Sequence, residues 1–97
     1  FDTSASGSTS STTSVTSGSF TTAGAGLLLG GRSTWNQQNN PSASVWSESM
    51  IQPIASDNLN FGTVAYLITG GALGPGKTIT ETGSSSTHRA MSVLSFV

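Results

Sequence analysis

The chain has 97 residues, no cysteine and only seven charged side chains, for a net charge of −1. Without cysteine there is no disulfide scaffold or thiolate metal site. Arg32, Lys77 and Arg89 are too few for a nucleic-acid footprint, and no apolar run approaches the ~18 residues of a membrane-spanning helix.

Hydroxyls take the place of charges. Nineteen Ser and 14 Thr fill 33 positions, whereas an ordinary soluble domain is about a quarter charged. Threonine is β-branched, and both residues suit a pleated, half-wet face. In helices both compete for backbone hydrogen bonds. The composition therefore predicts one all-β domain over residues 1–97, extracellular or particle-borne rather than a cytoplasmic enzyme. A start at Phe1 instead of Met leads us to expect a processed N-terminus, and the lack of cysteine fits export or a virion. Large apolar residues are few, which predicts that neighbouring subunits complete a thin core.

Residues 3–14 hold almost only Ser, Thr, Gly and Ala, and are expected to be an arm or edge strand leading to Val15 and Phe20. Residues 25–32 (AGLLLGGR) form a short apolar run between glycines, the pattern of a buried strand. A polar loop follows with Trp35, Asn36, Gln37, Gln38, Asn39 and Asn40, closed by Pro41. Residues 42–54 suggest one or two short strands around Val45, Trp46, Met50 and Ile51, and 55–60 a turn cluster. Residues 61–69 (FGTVAYLIT) are the most strand-like of all. A Gly/Pro turn at 70–77, an alternating strand at 78–82, a turn at 83–87 and a final strand at 89–97 complete the chain. Short strands at this spacing predict an antiparallel, jelly-roll-like β-sandwich of six to eight strands.

Gly71-Ala72-Leu73-Gly74-Pro75-Gly76-Lys77-Thr78 matches the phosphate-loop pattern letter for letter. Lysine and threonine of such a loop open a helix whose amides hold phosphate; here they open the β-branched, alternating Ile79-Thr80-Glu81-Thr82. No Asp follows position 57 to hold Mg²⁺. A hairpin loop between antiparallel strands is expected instead. His88, the single histidine, is expected to be a surface residue, because 19 serines make any apparent Ser-His-Asp trio unspecific. Asp57-Asn58-Leu59-Asn60 lacks a Ca²⁺ ligand at Leu59 and suggests an Asx turn. No catalytic residue, metal site or cofactor is expected.

Two binding readings remain. Trp35 beside the planar amides of Asn36, Gln37, Gln38 and Asn39 could stack on a sugar ring. Otherwise Trp35 caps the core and the amides bond one another. The closing strand is apolar on both faces, with Met91, Val93 and Val97 on one and Leu94 and Phe96 on the other. Such a strand wants cover on both sides. Phe1, Trp46, Met91, Val93, Phe96 and Val97 are therefore candidate subunit-interface residues, with the N-terminal tract bonded to a neighbour's backbone.

The segment order Phe1-Asp2, a Ser/Thr-rich strand, Gly26-Leu27-Leu28-Leu29-Gly30, Ala65-Tyr66-Leu67, Gly74-Pro75-Gly76-Lys77-Thr78-Ile79-Thr80 and a closing Met91-to-Phe96 strand resembles small jelly-roll or sandwich domains. Those domains recur in tailed-phage structural proteins and secreted bacterial proteins. The resemblance implies an architectural role and no catalytic residues. The expected function is a structural subunit of a virion surface or extracellular filament (a capsid-decoration, head-fibre or pilus-like protein) acting by self-assembly. Its partners would be its own copies and other particle or filament proteins, with no nucleic acid and no membrane span. The alternative is a carbohydrate-binding module, and a small hydrolase comes third.

Overall fold

The computed structural model describes residues 1–35, 44–53 and 62–97. Among them lie five strands: β1 (Thr3–Thr16), β2 (Gly26–Thr34), β3 (Val45–Trp46), β4 (Gly62–Thr69) and β5 (Thr80–Phe96), with a single 3-10 turn at Ser47–Ser49. All pairings are antiparallel, in the order β1-β5-β2-β4, with β3 added on β5. The structure is all-β, as the hydroxyl-rich composition predicts. Among the described residues the strands are fewer and longer than expected: β1 has 14 residues and β5 has 17.

The turn expected at residues 83–87 lies within β5. There β5 moves five residues, from Thr87 to Thr82, while β1 moves two, from Thr12 to Ser14. This bulge bends the two-stranded ribbon. On β1 the corner is Ser11, at φ 53°. Thr9 Oγ1 and Thr12 Oγ1 lie 2.7 Å apart, and both donate to the Ser14 carbonyl. The far arm thereby folds under the near one: the Gly18 amide donates to the Ser6 carbonyl at 2.8 Å, and a Cβ on Gly7 would strike the Thr16 carbonyl oxygen.

The Ser/Thr tract, expected to be held by a neighbouring subunit's backbone, is held along one edge by its own chain. Its backbone pairs with β5 of its own chain from Thr3↔Ser95 to Thr16↔Thr80. Small side chains permit that path, because anything larger at Gly7 would hold the two arms apart. Asp2 pins the end of the strand: its Oδ2 accepts from the Ala23 amide and from Ser95 Oγ, both at 2.9 Å.

The closing strand is likewise covered by its own chain, lying between β1 and β2. Its inward residues Met91 and Val93 join Val15, Phe20, Leu28, Trp46, Met50, Ala65 and Ile79 in the core. Three candidate interface residues, Trp46, Met91 and Val93, are thus buried inside the monomer and are not available to a neighbour. Phe1 and Val97 are exposed and Phe96 is half-buried.

A buried ionic cluster supplements the thin apolar core. Glu81 Oε1 lies 2.8 Å from Arg89 Nη1, and Glu81 Oε2 lies 3.3 Å from Arg32 Nε; all three side chains are fully inaccessible. Arg89 also donates from Nε to the Thr12 carbonyl at 3.1 Å and from Nη2 to the Ser85 carbonyl at 2.9 Å. One guanidinium therefore binds both corners of the folded ribbon. Arg32 Nη2 donates to Ser44 Oγ at 2.8 Å. Burial pushes the Arg32 pKa down, Glu81 raises it, and Arg89 lowers it further.

Glycine placement on β2 yields a paired prediction. A Cβ on Gly26 would strike the Phe96 carbonyl oxygen, whereas one on Gly31 meets nothing within 4 Å. Gly26→Ala should destabilise by about 1–3 kcal/mol, the range for forced backbone shifts. Gly31→Ala should be neutral or stabilise by about 0.4–1 kcal/mol through the unfolded chain. Urea midpoints compare the two, and equal effects would contradict this packing.

Candidate functional site

β-Strands send alternate side chains to opposite faces, so the register lays out the outer face in rows. Phe96, Leu27 and Ile68 form the first row, and Ser4, Leu94, Leu29 and Tyr66 the second. Ser6, Ser92, Gly31 and Val64 follow, then Ser8, Ala90, Ser33 and Gly62. Trp35 closes the series beside His88, whose carbonyl accepts from the Trp35 amide at 3.3 Å. No residue in these rows is an acid, a lysine or an arginine.

One end of the face is apolar. Ile68 is 70% exposed, Val64 57% and Leu94 38%, with Leu27, Leu29, Tyr66 and Phe96 half-buried around them. Phe1 is exposed beside this end, its ring edge-on to Phe96 at 6.1 Å. The run at 25–32, expected to be a buried strand, is buried on one face only: Leu28 and Arg32 point inward, while Leu27 and Leu29 point out. Over Gly31, where a Cβ would meet nothing within 4 Å, lies an open hollow of about 480 Å³ bordered by Val64, Ser92 and Pro53.

The other end is polar and aromatic. Trp35 is 75% exposed, and its indole stacks on the His88 imidazole with centroids 4.0 Å apart and planes 23° apart. Beside the pair, Ser8, Ser10 and Ser33 line a groove of about 400 Å³. Trp35 is thus an exposed platform and not a core cap. Asn36, Gln37, Gln38 and Asn39 lie outside the described residues, as does Asp57. His88 was legible in the sequence only as a surface residue, because nothing local brings it to Trp35, 53 positions earlier.

The phosphate-loop look-alike joins β4 to β5, which do not pair with each other, so it is not the hairpin expected. It crosses the end of the molecule and is stitched to residues 20–22. The Lys77 amide donates to the Phe20 carbonyl, Phe20 returns the bond to Lys77, and the Leu73 amide donates to Thr22 Oγ1 at 2.7 Å. Thr78 leads into a strand, without a helix to aim amides at phosphate. The Lys77 ammonium lies 3.2 Å from Glu48 Oε1.

Strands and register define an all-β, antiparallel protein. No protein-family model, curated protein or solved structure matches the chain.

Proposed function

We propose that the chain is a structural subunit of a virion surface or extracellular filament that acts by self-assembly, through the apolar end of its outer sheet face. The carrying observation is the uncharged apolar surface of Leu27, Leu29, Val64, Ile68 and Leu94. Exposed contiguous apolar surface is characteristic of association sites. The occupant proposed is a second copy. None of the apolar residues that carry this surface, nor the serines beside them, is charged, and Ser4, Ser6 and Ser92 supply the polar rim around an apolar centre.

Sedimentation of the parent and of Ile68→Lys/Leu94→Lys tests the proposal. The parent should associate with increasing concentration and the variant should remain monomeric with unchanged β-content, since both side chains are exposed. A parent chain monomeric up to about 1 mM, a limit of about −4.1 kcal/mol, would overturn it.

A further inference from the structure

We infer that the groove beside Trp35 binds a neutral saccharide. This site is separate from the apolar end and does not depend on assembly there. Trp35 offers a flat, electron-rich surface, and large aromatic faces are held at low conformational cost when one side is already supported. The imidazole of His88 supports one face of the indole at 4.0 Å. The 75% exposure of Trp35 leaves surface for a ligand. The C–H face of a pyranose, faintly positive, complements that π-surface.

The surrounding chemistry selects the ligand class. Ser8, Ser10 and Ser33 line the groove, and a hydroxyl both donates and accepts hydrogen bonds. Sugar hydroxyls do the same, so a hydroxyl-lined groove can answer them in either sense. Its volume of about 400 Å³ falls within the ~300–1,000 Å³ of small-ligand sites.

A stacked nucleobase would use the same platform but brings phosphate, which requires cations. The groove does not supply them. The Arg89 guanidinium under it is directed inward to Glu81, Thr12 and Ser85, and Lys77 sits with Glu48. A charged ligand is disfavoured and a neutral polyol is favoured.

NMR titration of the full chain tests the inference. The probes are maltohexaose, cellohexaose, xylohexaose and chitohexaose, with oligo-dT as the competing class. The chain has two tryptophans, and Trp46 is buried with its Nε1–H bonded to Gln52 Oε1 at 2.8 Å, so the two indole signals report on different places. At least one saccharide should shift the Trp35 indole resonance while leaving Trp46 in place. Trp35→Ala should weaken that binding at least about tenfold, equivalent to 1.4 kcal/mol, and Ser33→Val should weaken it less. Trp35 is 75% exposed, so Trp35→Ala removes no core contact, and the Trp46 signal verifies the fold directly. If none of the four saccharides shifts Trp35 at millimolar concentration, if binding survives Trp35→Ala unchanged, or if oligo-dT binds more tightly than every sugar, the inference fails.

Discussion

Glu81→Gln should lower the thermal midpoint by about 12 °C or more, or leave the chain unfolded. Removing one partner of a buried ion pair typically costs about 3–5 kcal/mol, and each kcal/mol moves the midpoint of a domain this size by about 4–8 °C. Here one carboxylate serves two fully buried guanidiniums, Arg32 at 3.3 Å and Arg89 at 2.8 Å. Among the causes acting on the Arg32 pKa, burial and Arg89 lower it and Glu81 raises it. A base whose folded pKa is lowered opposes folding at all pH below that pKa. The burden therefore covers the whole neutral range and lifts only as the solution becomes strongly alkaline. Without Glu81 the partner that raises the Arg32 pKa is gone, while burial and Arg89 still lower it.

Replacing the whole cluster should do less harm than breaking it. Apolar residues in place of a buried ion triad are often neutral or stabilising by about 1–4 kcal/mol. Arg32→Met/Glu81→Leu/Arg89→Met would, however, leave the Thr12 and Ser85 carbonyls without the Arg89 donor, at about 1–3 kcal/mol for each buried group. The triple variant should consequently fall below the parent in stability yet above Glu81→Gln. Thermal and urea melts by circular dichroism rank the three. A Glu81→Gln protein within about 1 kcal/mol of the parent, a small fraction of an ordinary domain's ~5–15 kcal/mol, would mean that the cluster contributes little.

Deleting residues 1–12 should abolish cooperative folding. The truncation removes the ladder from Thr3↔Ser95 to Thr9↔Arg89, the Asp2 anchor to Ala23 and Ser95, and the Thr12 carbonyl that Arg89 binds. At about 0.5–1.5 kcal/mol per hydrogen bond, half a dozen ladder bonds alone rival the ~5–15 kcal/mol that holds a domain together. Deletion would also uncover the edge of β5 and one side of a core that has nine buried apolar residues among those described. Loss of the β-sheet circular dichroism signal and of a sharp melt is the expected result. A truncated chain with the parent's spectrum and midpoint, but impaired association, would instead make the tract an assembly arm, as its composition suggests when read alone.

Local pattern determined much of this protein. The alternation and β-branching of residues 61–69 and the glycine-bounded leucines of 25–32 marked two strands that coincide with β4 and β2 to within about two residues. Hydroxyl-rich composition marked the all-β class, since Ser and Thr disfavour helix at each position independently of what surrounds it. The β-branched sequence after Lys77 likewise showed that no helix follows the apparent phosphate loop.

Long-range pairing decided the rest. Residues 3–14 contain nothing that buries itself, so their order comes from a strand some 80 positions away. Gly83 and the serines after it are turn formers in isolation, but as a bulge between two paired arms they bend a single strand. Whether Leu27 and Leu29 were inside or outside depended on which face of β2 the folded ribbon would cover, and alternation alone cannot distinguish the two. Nothing local links Arg32, Glu81 and Arg89 in the sequence, or Trp35 and His88. Each grouping exists because register brings remote positions side by side, and register is a property of strands together, not of any segment alone.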